Sequence, residues 1–96
     1  MHAMSQTLHK ASEHQTFELP ALETARLLSG FASLASNGKT PEKSEVLFAL
    51  ALSREVRNQG YIGQSLYYLA MVHAAEENFR QALVLLDEAK IGRAHV

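Results

Sequence analysis

A chain of 96 residues and 10.6 kDa has room for one domain, at a size where roughly 60–70 % of the unfolded surface can be buried. Its 47 % hydrophobic and 20 % charged residues are ordinary for a globular protein, and nine Lys and Arg against ten Asp and Glu give a net charge of −1, which argues against binding a nucleic-acid backbone. No Cys means no disulfide framework and no thiolate nucleophile or ligand, and the longest unbroken apolar run, Val46 to Leu52, falls far short of the ~20 residues of a membrane-spanning helix. No basic start followed by an apolar stretch marks a secretory leader, so the expected address is cytoplasmic.

Residues 1–19 hold three of the five His and only scattered apolar side chains, Leu8, Phe17 and Leu19, which predicts a disordered or loosely ordered arm. The composition shifts at Pro20. From Ala21 to Ser36 the residues Leu22, Ala25, Leu27, Leu28, Phe31, Ala32, Leu34 and Ala35 recur at three- and four-residue spacing, the pattern of a helix with a broad buried face, and Pro20 suits its first position. Asn37-Gly38 supplies a left-handed stop. Thr40-Pro41-Glu42 predicts a second start, with Thr40 as N-cap, and this helix should run to about Asn58 on Val46, Leu47, Phe48, Leu50, Ala51, Leu52 and Val56. Asn58-Gln59-Gly60 should close it. A third helix is expected over about 62–76, with Leu66, Leu69, Ala70 and His73 on one side, then a tight Glu77-Asn78 turn and a fourth helix over about 79–90 carrying Ala82, Leu83, Leu85, Leu86 and Ala89. No segment alternates as a half-buried strand does. The expected fold class is therefore all-α, built of antiparallel helix-turn-helix units over residues 20–90, with Phe31, Phe48, Leu69, Phe79 and Leu86 buried.

Four helices joined by short turns invite a search for internal repetition. Residues 64–89 resemble one tetratricopeptide repeat: Leu66, Leu69, Ala70, Phe79, Ala82, Leu86 and Ala89 stand at the family's apolar and small positions. Residues 26–54 look like a weaker copy, with Leu28, Phe31, Ala32, Ala35, Ser44, Phe48 and Ala51 in the same parts, so that Ser44 aligns with Ala82 at an offset of 38 residues. A second register for the first helix, with Gly30 as the small contact, stays open. The resemblance implies an α-solenoid fragment of two repeats and about four helices. Residues 27–52 are further similar to the first repeat of small tetratricopeptide chaperones of bacterial type III secretion systems, through Leu27, Leu28, Gly30, Phe31, Gly38, Lys43, Leu47, Leu50 and Leu52. At the other end, Lys90 to Val96 resembles a translated sequencing adapter, which makes residues 91–96 a tail of non-native origin and implies that the natural chain continues differently beyond Ala89.

The chemistry-bearing residues point away from catalysis. His2, His9 and His14 sit in the arm without a scaffold, and His73 occupies a position where the repeat family places an aromatic ring, so a packed imidazole is expected rather than a ligand. Glu76 and Glu77 are adjacent on a helix end and diverge by about 100°, which does not pair two acids for proton transfer. Gly60 and Gly63 follow no strand, so a phosphate-binding loop is not predicted. No catalytic, cofactor-binding or metal-binding residue is assigned, and no cofactor is expected. The resemblance places Gln64, Tyr67, Met71 and Ala75 where first helices of repeats line a concave face, a Tyr and Met surface suited to an extended or helical peptide, although both residue types are also common in cores. Ser29, Ser33 and Ser36 form a polar stripe on the first helix that reads as groove lining or plain surface. The implied function is non-catalytic protein binding of a peptide or helix of a client protein, in the subfamily a type III secretion component; the alternative is the N-terminal repeat fragment of a larger regulatory or scaffold protein. Nucleic acid and a membrane span are not expected, and homodimerisation is left open.

Overall fold

The computed structural model describes the backbone of residues 2–94 and the side chains of residues 19–90. The chain is all-α. Four helices, α1 (His2–Ser36), α2 (Lys43–Glu55), α3 (Gln59–Ala75) and α4 (Phe79–Ala94), follow one another through short turns, and no strand occurs among the described residues. α3 is the organising element, because it packs against each of the other three, while α1 also packs on α2.

α1 does not begin at Pro20 but takes that residue into its interior. Proline there removes one backbone donor. Thr24, fully buried, donates its hydroxyl to the Pro20 carbonyl at 2.7 Å, a back-bond of the kind that bends helices. The composition shift at Pro20 therefore marks where packing starts and not where the helix starts. The arm expected over residues 1–19 falls, Leu19 apart, outside the described side chains, and so does the tail 91–96.

The turns share one geometry. After α1, Gly38 is left-handed (φ 72°), its N–H donates to Ala35 O at 3.0 Å, and the N–H of Lys39 reaches back to Leu34 O at 2.9 Å. After α2 the same pair of bonds runs from Arg57 to Arg54 and from Asn58 to Ser53, and after α3 from Glu77 to Ala74 and from Asn78 to His73. Each is the Schellman closure that satisfies the last carbonyls of a helix. Only the first uses glycine; Arg57 (φ 55°) and Glu77 (φ 64°) take the left-handed conformation with a Cβ. That conformation costs about 1–2 kcal/mol for an L-residue, against about 0.5–1 kcal/mol of extra entropy lost by glycine. Arg57→Gly and Glu77→Gly should each stabilise the fold by about 0.5–1 kcal/mol, read as a higher urea midpoint, and unchanged midpoints would show that these turns are not strained.

Two helix starts differ from the sequence expectation. Glu42, extended and without a side-chain cap bond, precedes α2 in place of Thr40, because Pro41 is itself buried instead of opening the helix. Asn58 serves both helices: its N–H closes α2 on Ser53 O, while its Oδ1 accepts the Tyr61 N–H at 3.0 Å to cap α3, and Gln59 and Gly60, expected in the closing turn of α2, form the first turn of α3.

The core consists of Leu28 and Phe31 from α1, Val46, Ala49 and Leu50 from α2, Leu66, Leu69, Ala70 and Val72 from α3, and Ala82, Leu85 and Ala89 from α4. α2 and α3 meet through small side chains: Ser53 Oγ donates to Ala49 O at 2.6 Å and lies 3.1 Å from Ser65 Oγ, with both serines fully buried. Phe31 and Leu69 are buried as expected, but Phe48, Phe79 and Leu86 are 52 %, 61 % and 39 % exposed. The reason is register. α2 buries Val46, Ala49, Leu50 and Ser53, so Phe48, two residues from Val46, is turned about 200° away. α4 buries Ala82, Leu85 and Ala89, each 36 residues after a buried counterpart in α2 (Val46, Ala49, Ser53). The offset between the second helices of the two hairpins is thus 36, and Ser44, which an offset of 38 placed at a close helix contact, is exposed, whereas the first helices keep 38, Leu28 and Phe31 of α1 matching the buried Leu66 and Leu69 of α3. Gly30 is not such a contact either, since a Cβ added there meets open space.

Candidate partner-binding face

The outward side of α3 is narrow, because three helices cover the rest. Gln64, Tyr67, Met71 and Ala75 recur at spacings of three, four and four residues and fall within about 80° of the helix circumference. The structure brings these four together on the side opposite the buried Leu66 and Leu69. Gln64 and Met71 are half-buried, Ala75 is exposed, and Tyr67 is 47 % exposed.

Tyr67 is nonetheless held. Its ring stands edge-on to Tyr68, with centroids 5.4 Å apart, and Tyr68 meets the buried Phe31 ring of α1 in a second T-shaped contact at 5.6 Å. Aromatic pairs in this geometry contribute about 0.5–1.5 kcal/mol each beyond their burial. The Phe31–Tyr68–Tyr67 chain therefore ties the centre of the stripe to the core. The adjacent aromatics Tyr67-Tyr68, straddling the edge of a helical face, are the sequence signal for this bridging role.

Ser29 and Ser33 are both exposed on α1, yet Ser33 opens on a different surface. It lines a shallow depression of about 370 Å³ between α1 and α2, together with Arg26, Leu27, Gly30, Phe31, Leu34 and Glu45. Its carbonyl is also engaged, accepting from Ser36 Oγ at 2.9 Å and from Asn37 Nδ2 at 3.1 Å at the end of the helix. The depression was not anticipated. Its origin is Gly30, which leaves unfilled space on an apolar helix side between Leu27 and Leu34.

Charged contacts border the packed core. Glu76 Oε1 lies 3.4 Å from Lys43 Nζ and 3.6 Å from His73 Nδ1, so the end of α3 is linked to the start of α2. Arg54 of α2 meets Glu88 of α4 at 3.7 Å. The His73 side chain is mostly buried and its Nδ1 has no hydrogen-bond partner. No group of three or more His, Cys, Asp or Glu is gathered as metal ligands among the described residues, and no described helix is long and apolar enough to cross a membrane. Set beside known protein families, curated proteins and solved structures, the chain matches no family model, no curated protein and no solved structure.

Proposed function

We propose that this chain is a non-catalytic protein-binding module whose α3 stripe, Gln64, Tyr67, Met71 and Ala75, holds an extended or helical segment of a client protein. The observation that carries the reading is the combination of exposure and restraint at Tyr67. Its ring is half open to solvent, while Tyr68 and Phe31 fix it from behind. A pre-positioned aromatic ring loses little entropy on binding, Met71 supplies an adaptable apolar neighbour, and Gln64 offers both a donor and an acceptor to a peptide backbone. The stacking of α3 between a preceding hairpin and α4 suits tetratricopeptide architecture, in which such stripes hold peptides. The similarity of residues 27–52 to type III secretion chaperones nominates a secretion component, kept unassembled and soluble, as the client.

The test is a peptide array of type III secretion substrates probed with parent and Tyr67→Ala proteins. A peptide retained by the parent should bind Tyr67→Ala about 1–2 kcal/mol more weakly, the range for a single aromatic anchor, with helicity unchanged. Glu55→Gln, on the outer side of α2, should bind as the parent does. Equal affinity for parent and Tyr67→Ala would remove the stripe from the binding surface, and a failure of every secretion peptide would remove that client class.

A further inference from the structure

A second exposed apolar row lies on α4. On α2, the residues that reach toward the next hairpin are engaged: Lys43 meets Glu76 at 3.4 Å, Leu50 is buried, and Arg54 meets Glu88 at 3.7 Å. Their counterparts 36 residues later on α4 are Phe79, Leu86 and Lys90. With Leu83, whose α2 counterpart Leu47 is itself 46 % exposed, they form one row on the side of α4 away from α2, and all four are exposed, Phe79 and Leu83 by 61 % and 66 %.

This row has the spacing of a helix-pairing seam. Phe79, Leu83, Leu86 and Lys90 follow one another at four, three and four residues, alternating d and a positions of a heptad. In that frame Arg80 and Asp87 both fall at e, on the solvent flank, and both are exposed. Ala82 and Ala89 fall at g and are already buried against α3, so the seam lies beside that contact and not on it. Antiparallel helices bring e opposite e and a opposite d. When Leu83 faces Leu86 of an antiparallel copy, the same register sets Arg80 opposite Asp87 of that copy twice over. The row is therefore complementary to itself in both shape and charge.

We infer that the α4 row is a self-association surface, occupied by α4 of a second copy of this chain packed antiparallel about a two-fold axis. Such an isologous contact closes on itself as a dimer. It leaves the α3 stripe open and goes beyond the client-binding reading without depending on it. A few side chains on one helix cover less than the roughly 800 Å² per partner of a standard interface, so the association should be weak and visible only at high protein concentration.

Sedimentation equilibrium of the 96-residue chain at roughly 5–500 µM and about 50 mM salt, where ion pairs are weakly screened, tests this. The parent should show a monomer–dimer equilibrium. Leu83→Glu should be monomeric throughout with an unchanged circular dichroism spectrum, since that side chain is exposed. Arg80→Asp places two carboxylates opposite each other at both symmetric positions and should weaken the dimer about tenfold, as expected for replacing two exposed ion pairs by repulsive ones. Adding Asp87→Arg should restore it to within about twofold of the parent. A parent that stays monomeric at the highest concentration overturns the inference, as it would if a different helix normally covers the row. A dimer that survives Leu83→Glu, or a double reversal no tighter than Arg80→Asp alone, also overturns it. Tyr67→Ala should dimerise as the parent does, which keeps this outcome separate from the client-binding test.

Discussion

Truncating Phe31 to alanine should destabilise the protein by about 3–5 kcal/mol, the range for deleting a buried aromatic side chain, whereas Phe48→Ala should cost less than about 0.5 kcal/mol. Phe31 is 1 % exposed and lies where α1 faces α3, with Tyr68 edge-on to its ring. Removing it opens a cavity at the contact between the first hairpin and the organising helix, and also forfeits the aromatic pair. For a small domain whose total stability is roughly 5–15 kcal/mol, that is a large fraction. Phe48, half exposed on the outer side of α2, leaves no such cavity. Urea denaturation of both variants checks the contrast, and comparable losses would show that the α1–α3 contact is not where the fold is held. Because Phe31 also backs Tyr68, which backs Tyr67, peptide affinity should fall in Phe31→Ala even at temperatures where the variant remains folded.

Helix number and order were legible in the sequence because their signals are local. Periodic apolar residues and the Asn37-Gly38 stop locate the three turns to within a few residues, and α4 begins at Phe79 as expected. Burial was less legible, for a physical reason. α2 carries apolar residues around most of its circumference, so Leu47, Phe48 and Ala51 compete with Val46, Ala49 and Leu50 for the inward side, and hydrophobicity alone does not decide. Size complementarity does. The α2–α3 contact is close enough to need Ala49, Ser53 and Ser65, and this small-residue seam, not the largest side chains, sets the rotation of α2. Ser53 and Thr24, polar yet fully buried, could not be singled out from pattern, because what makes them tolerable inside is a hydrogen bond to a carbonyl four residues back.

The candidate face divides along the same line. Gln64, Tyr67, Met71 and Ala75 share one helix, and the helical period alone brings them together once α3 forms. Ser29 and Ser33 required the rotation of α1 relative to α3, which depends on where Phe31 inserts. Residues on one element were thus placed by local geometry, and residues split across elements were not. The same distinction accounts for the four-residue set being a continuous stripe while Ser33 opens toward α2.

Ala82→Glu should destabilise the second hairpin by about 3 kcal/mol or more, because its carboxylate must be desolvated without a partner or drive α4 away from α3. Ala82 is 5 % exposed, while its neighbour Leu83 is 66 % exposed, so Leu83→Glu should be nearly neutral for folding. With a shift of roughly 4–8 °C per kcal/mol in a domain of this size, Ala82→Glu should lower the thermal midpoint by about 12 °C or more. The same comparison decides the offset between the second helices of the two hairpins. Val46, the counterpart of Ala82 at 36 residues, is fully buried, whereas Ser44, the counterpart at 38, is exposed. Val46→Glu should therefore reproduce the collapse in the first hairpin, and Ser44→Glu should melt with the parent, since one places a charge between helices and the other places it in water. The reverse ranking would mean that α2 is rotated by about two residues and that the longer offset governs the packing of the array.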